Sequence, residues 1–242
     1  MHLKTLKVSV ILLAVATLSA CQTTSNSKIS SSGTQSSSSN DSDFDRQKAA
    51  QVRLSAGLKY LRNGSLQNAK RHLDKALELS DDNANVHFGI AYYFEQVKEL
   101  DLAEKSYKKA LRLEPKNPDF LNGYASFLCG KKNYQKADEY FNRAIEQPIY
   151  PSIASAYMNA GVCAKLNGNV KKATSYFRKA LNRDNKLPRA LIEMAEVEYE
   201  RKRYERAHSY MKRYEEVSKP SSNSLWLALR VAFFRNDKDS LA

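Results

Sequence analysis

Cysteine is scarce in this 242-residue chain: there are three, Cys21, Cys129 and Cys163. That excludes a small scaffold stapled by many disulfides, and the absence of a C-x-x-C pair argues against dithiol exchange. Histidine is scarce too. The four are His2, His72, His87 and His208, and no two stand at metal-ligand spacing. There is no G-x-G-x-x-G, no phosphate-binding G-x-x-x-x-G-K-S/T loop and no H-E-x-x-H. Acidic and basic residues alternate along the chain as they do on solvated helix faces. No nucleophile stands beside a base, so the chain is not expected to be an enzyme, to carry a cofactor or to bind a metal. His72 and His208 fall on basic helices and are expected in solvent. His87, near a helix start, is expected to pack or to line a groove.

Long apolar runs are also missing. The longest, Val8 to Leu18, is interrupted by Ser9 and Thr17 and is too short to span a bilayer. It follows a basic start of His2, Lys4 and Lys7 and ends in Leu18-Ser19-Ala20-Cys21. Residues 1–20 therefore read as a secretion signal. The tetrapeptide resembles the lipobox of bacterial lipoproteins. The resemblance implies that Cys21 is the lipidation site and that Gln22 after it directs sorting to the outer membrane. From Gln22 to Asp43, ten of 22 residues are serine and large apolar side chains are nearly absent. Such a stretch cannot bury enough surface to fold. Residues 21–43 are expected to form the lipidated cysteine and a disordered linker with a span of about 25 Å.

Acidic charge is in deficit. The chain carries 39 Lys and Arg against 26 Asp and Glu, a net +13. From Lys165 onward there are 18 basic and 10 acidic residues. An anionic partner and solvated helix faces both fit this excess. No nucleic-acid-binding motif accompanies it, and export argues against a nucleic-acid partner.

The chain does contain a repeat. Ala69–Leu73–Ala76, Ala103–Tyr107–Ala110, Ala137–Phe141–Ala144, Ala173–Phe177–Ala180 and Ala207–Met211–Tyr214 recur at 34, 34, 36 and 34 residues. The spacing i, i+4, i+7 places each triad on one helix face. About twelve residues before each triad stands a small residue: Gly57, Ala91, Ala125, Gly161 and Ala195. A preceding helix must approach closely there. Asn63-Gly64, Lys98 to Asp101, Gly130 and Gly168-Asn169 mark turns within units, and the six prolines fall between units. This resembles the tetratricopeptide repeat, a 34-residue helix-turn-helix. The expected fold is all-α: a right-handed superhelix, or α-solenoid, over residues 44–242. Its repeats are expected at about 50–83, 84–117, 118–153, 154–187 and 188–221, with a partial sixth at 222–242. The longer third unit, through "QPIYPSI", predicts a looser or bent connection to the fourth.

In such a solenoid the first helices line a concave face where partners bind. Leu54, Leu58, Leu61, Phe88 and Tyr92 are expected to form an apolar trough there, able to take a helix or an extended segment. Core packing is the competing role for the same side chains. Asn122, Ser126, Met158, Lys165, Arg189 and Glu196 give the later repeats a more polar lining. Trp226, Phe233 and Phe234 are expected to seal the end.

Four stretches narrow the resemblance: "NGYASFLCGKKNYQKADEYFNRAIEQPIYP", "YMNAGVCAKLNGNVKKATSYFRKAL", "PRALIEMAEVEYERKRYERAHSYMKRY" and "SLWLALRVA". They resemble the outer-membrane lipoproteins of type IV pilus biogenesis, the PilF/PilW family, over residues 50 to 235. The resemblance implies a non-enzymatic protein facing the periplasm and lipid-anchored in the outer membrane. It implies a role in secretin localisation and assembly or in pilus stability, with the type IV pilus secretin as partner. A monomer is expected. An adaptor for another envelope assembly machine, and an envelope protein gripping anionic cell-wall polymer, are the alternatives. Family members continue into a final second helix, so the last repeat here is expected to fray.

Export places the chain in an oxidising space, where disulfides persist. Cys129 and Cys163 stand late in the first helices of adjacent repeats. A disulfide between them and two free core cysteines are both compatible with that placement.

Overall fold

The computed structural model describes residues 38–235, with side chains from residue 44. The signal at 1–20, Cys21 and most of the serine tract lie outside the described residues. Each small–aromatic triad becomes the buried stripe of a helix. Ala69, Leu73 and Ala76 are sequestered on α2 (Leu66–Leu79), and Ala103, Tyr107 and Ala110 on α4 (Leu100–Leu113). The same holds for α6 (Tyr134–Ile145), α8 (Val170–Arg183) and α10 (Tyr204–Val217). Each is preceded by its partner: α1 (Ser38–Arg62), α3 (Ala84–Gln96), α5 (Pro118–Gly130), α7 (Ile153–Leu166) and α9 (Pro188–Glu200). A last helix, α11 (Ser222–Arg235), stands where a sixth unit begins. Among the described residues every regular element is an α-helix, and the helix pairs form an α-solenoid of tetratricopeptide repeats.

Helix starts follow local chemistry. The Asn83 side chain accepts from the backbone N–H groups of Asn85 and Val86, and Asn117 does the same for Asp119 and Phe120. These caps satisfy donors that a helix leaves unpaired at its first turn. Pro118 and Pro188 each occupy a first turn, where the missing N–H costs nothing. Within the units, one residue of each turn adopts positive φ: Gly64, Lys98, Lys132, Gly168 and Lys202, at 59° to 77°. In the third unit the left-handed residue is Lys132; Gly130 is still helical.

Helix pairs close where side chains vanish. A Cβ on Gly57 would lie 2.8 Å from the Leu73 side chain, and a Cβ on Gly161 would lie 2.5 Å from the Phe177 ring. In these two units the large member of the triad fills the space opposite the small residue of the preceding helix. Second helices also interlock between units. Asp138 on α6 takes an ion pair from Lys172 at 2.7 Å, and Tyr176 donates to Asn142 at 2.9 Å. Burial pushes the Tyr176 hydroxyl pKa up.

Four features depart from the sequence expectations. Helix α1 begins at Ser38, so the end of the presumed linker, residues 38–43, is helical. The anchored part of α1, at Ala50 and Leu54, gives a finished nucleus to which each preceding residue adds one backbone bond. The connection between the third and fourth units is pinned rather than loose. Tyr150 is buried there and packs with Leu121, Ala144 and Ala156. Trp226, Phe233 and Phe234 are 51–65% exposed, and the side of α11 that packs inward carries Leu227, Val231 and Ala232. His72 is half-buried and stacks on Tyr60 with ring centroids 5.2 Å apart, rather than standing in solvent.

Candidate functional site: the inner face of the first helices

The odd-numbered helices lie side by side and form one continuous face. A Cβ on Gly89 of α3 would meet Leu54 of α1 at 2.5 Å. Phe88 of α3 packs on Phe120 of α5, centroids 4.7 Å apart, and its ring abuts Gly123. Asn159 of α7 donates to Asn122 of α5 at 3.3 Å. Lys165 of α7 binds Glu193 and Glu196 of α9, at 2.9 and 2.5 Å. Arg230 of α11 sits over the Tyr199 ring of α9 at 4.3 Å. Polar and charged pairs join these helices from α5 onward, and Tyr199 of α9 also meets Phe234 of α11 with ring centroids 5.9 Å apart.

Cys129 of α5 and Cys163 of α7 form a disulfide, with Cα atoms 5.8 Å apart. Both are nearly buried. The bridge ties the third unit to the fourth near the Asn122–Asn159 pair, which lies about two turns nearer the start of α5 and about one turn nearer the start of α7.

The five trough residues separate. Leu54 is 3% exposed and belongs to a core with Leu73, Ala76, Val86 and Ile90. It seals the α1–α3 crossing opposite Gly89, so it is not an open trough residue. Leu58 is half-buried against the same core. Phe88 is half-buried in an aromatic cluster with Tyr107 and Phe120. Leu61 is half-buried but stands outside these clusters, and Tyr92 is 38% exposed. The surface left to a partner is therefore Tyr92 and Leu61, with the flanks of Leu58 and Phe88 behind them. Burial pushes the Tyr92 hydroxyl up to about 12, with Glu95 adding to the effect.

The polar lining is also sorted by its partners. Met158 is buried; Ser126 spends its hydroxyl on the Asn122 carbonyl at 2.9 Å. Arg189 is exposed. His87 bonds the Asp81 carbonyl at 2.7 Å and so closes the turn before α3. Glu104 of α4 reaches Lys108 and Lys131, each at 2.7 Å, and those hydrogen bonds hold its carboxyl near 2.

Two positions escaped the sequence expectations. Glu198 is 1% exposed on α9, with Arg201 and Arg203 each 3.6 Å away. It replaces the apolar Leu128 and Ala164 of the preceding units, and that phase was the available signal. Tyr150 is the other. Its hydroxyl is buried without a well-formed hydrogen bond, facing Asp119 and Asn122.

Among the described residues no helix is long and apolar enough to cross a membrane, and no three His, Cys, Asp or Glu side chains converge as a metal site.

The tetratricopeptide-repeat family model matches residues 54–118 and 130–188, and a second such model matches 106–139. The chain is 29% identical over 238 residues to the type IV pilus assembly protein PilF of Pseudomonas aeruginosa, covering 98% of this chain and 90% of PilF. A solved structure of Pseudomonas aeruginosa PilF superposes with a TM-score of 0.75 at 30% identity, over 81% of this chain and 89% of that one. The crystal structure of PilW, a widely conserved type IV pilus biogenesis factor, shares the fold at 24% identity, with a TM-score of 0.71 over 79% of this chain and 88% of that one. The chain belongs to the tetratricopeptide-repeat family and, within it, is a PilF/PilW-like protein.

Proposed function

We propose that this protein is a lipid-anchored periplasmic scaffold of type IV pilus biogenesis, held at the outer membrane through Cys21. It binds the pilus secretin on its inner face and promotes secretin localisation and assembly or pilus stability. The observation that carries this reading is the similarity to PilF over nearly the whole chain, in sequence and in the stacking of the repeats. A solenoid of this kind offers an extended surface that suits holding a partner.

The anchor is tested by Cys21→Ala. The variant is expected to leave the outer-membrane fraction and to lack the lipid adduct that mass spectrometry finds on the wild type. Flotation of the variant with outer membranes would remove the anchor from the proposal.

The binding face is tested at Tyr92 and Leu61. Exposed apolar side chains on a monomer add little to its folding and favour contact with a partner. Tyr92→Ala and Leu61→Glu are expected to weaken capture of the purified secretin by about 2 kcal/mol each, the loss typical of an interface anchor. Thermal melting of the variants should stay within a few degrees of wild type. Normal capture by folded variants would move the interface elsewhere on the solenoid.

A further inference from the structure

One side of α11 is apolar and open. Leu225, Trp226, Leu229 and Phe233 are 44–65% exposed. At 3.6 residues per turn they fall within about 100° of the helix circumference. The opposite side, with Leu227 and Val231, joins the core of the solenoid. Single apolar side chains on a surface need no explanation, but a contiguous stripe marks a contact.

The repeat identifies this side. In the other units the first helix buries a small residue against its own second helix: Gly57, Ala91, Ala125, Gly161 and Ala195. Leu229 stands 34 residues after Ala195, at the same phase. Leu225 falls at the phase of Leu191, which is fully buried. Helix α11 therefore opens to solvent the side that the other first helices bury, and among the described residues no second helix lies against it. Leu229 also bars the usual cover. A mere Cβ on Gly57 or Gly161 would lie 2.8 or 2.5 Å from Leu73 or Phe177. A leucine at that phase holds a covering helix farther out, at the roughly 8–10 Å of helices that meet through their side chains.

We infer that this stripe is a self-association surface, on which α11 of a second copy packs antiparallel about a two-fold axis at Leu229. The stripe is self-complementary. Reversed about Leu229, it sets Leu225 of one copy against Phe233 of the other, as a two-fold contact requires. The area agrees. From the usual size of these side chains, their exposed parts offer about 400–500 Å² of apolar surface per copy. That is close to the apolar share of a standard homodimer interface, about 65% of about 800 Å² per partner. Charge does not oppose the contact at its centre, although the chain carries a net +13. Both arginines of α11 are turned onto their own chain: Arg230 sits 4.3 Å over the Tyr199 ring, and Arg235 reaches Glu205 at 3.0 Å. A dimer joined at α11 replaces the monomer expected from the sequence and carries two inner faces. The inference is independent of the secretin reading.

The test is the oligomeric state of the full-length protein, followed by sedimentation equilibrium in excess detergent. Wild type should pass from monomer to dimer as its concentration rises through the micromolar range. Leu229→Glu should melt as wild type does and weaken the dimer by about a hundredfold or more, because a side chain on a two-fold axis is lost from both copies. Separately, a short bis-maleimide should join Leu229→Cys into a dimer. It should not join Ser209→Cys, on the exposed side of α10, nor wild type, whose Cys129 and Cys163 are already bonded. Should Leu229→Glu unfold α11, the cross-linking alone decides. A wild type that stays monomeric, a dimer that survives Leu229→Glu in a folded protein, or equal cross-linking at positions 209 and 229 overturns the inference. Loss of secretin capture in Leu229→Glu with no change of oligomeric state overturns it as well, and gives the stripe to the secretin.

Discussion

Replacing Phe177 with alanine is expected to lower the free energy of unfolding by about 3–5 kcal/mol, the range for deleting a buried aromatic ring. Phe177 is fully buried at the α7–α8 crossing. Its ring lies 2.5 Å from where a Cβ on Gly161 would stand, so the ring fills the gap that the glycine leaves. Collapse after truncation is restricted. Ala173 and Ala180 flank the ring on the same helix stripe and have no longer side chain to swing in. Phe141 and Met211, which serve the neighbouring units, belong to the same continuous core. In a quasi-one-dimensional solenoid each repeat is stabilised chiefly by its neighbours. Weakening the fourth unit should therefore also broaden the transition, because the flanking parts lose cooperativity. Urea denaturation followed by far-ultraviolet circular dichroism gives both numbers. A loss below about 1 kcal/mol would mean that the small–aromatic pairing is not what holds the helices of a unit together.

The same pairing explains why so much of the fold was legible. A triad with an aromatic or large aliphatic centre, and a small residue a dozen positions earlier, are two complementary halves of one contact. Their recurrence at a fixed interval leaves few other architectures. What escaped notice lay outside that contact. Three of the five turns place lysine at positive φ, at positions 98, 132 and 202; the Lys98 to Asp101 stretch and Gly130 mark the first two of these turns in sequence, and the third carries no such mark. In each, the helix hydrogen-bond network imposes a left-handed residue: Glu99 N–H reaches the Phe94 carbonyl at 2.9 Å, and Asn133 and Arg203 repeat the bond. The tertiary requirement overrides a penalty of about 1–2 kcal/mol for a residue with a Cβ.

The inner face was less legible than the core because apolar type does not say which neighbour a side chain meets. Leu54 and Tyr92 both read as trough residues. Leu54 disappears opposite Gly89, while Tyr92 keeps an open edge. Both face a glycine on the next first helix, Gly89 for Leu54 and Gly123 for Tyr92, so the glycines alone do not tell the two apart. Glu198 shows the converse. A carboxylate among basic residues suggests a solvated face, but two arginines following within five residues fold back over it. Asn122 stood out as part of a polar lining in sequence, yet its bond to Asn159 required the two helices to be set side by side.

That setting depends on the bridge between the same helices. Replacing both Cys129 and Cys163 with alanine is expected to destabilise the protein by about 2–4 kcal/mol. The two residues are 34 apart in sequence, and cross-linking them removes that loop's freedom from the unfolded chain. In the loop-entropy account the effect grows only slowly with loop length, so a 34-residue loop falls inside the usual range. Part of the loss has a different origin. Both cysteines are nearly buried, at 7% and 4% exposure, and alanine leaves some of that volume empty. Reduced wild-type protein separates the two contributions, because it keeps both sulfurs and loses only the bond. Its denaturation midpoint should fall between those of the oxidised protein and the double variant. Both bridge-free forms should show a steeper dependence on denaturant, since their unfolded chains expose more surface. If reduction leaves midpoint and slope unchanged, the packing of α5 against α7 holds the two repeats together on its own, and the inner face does not depend on the oxidation state of the bridge.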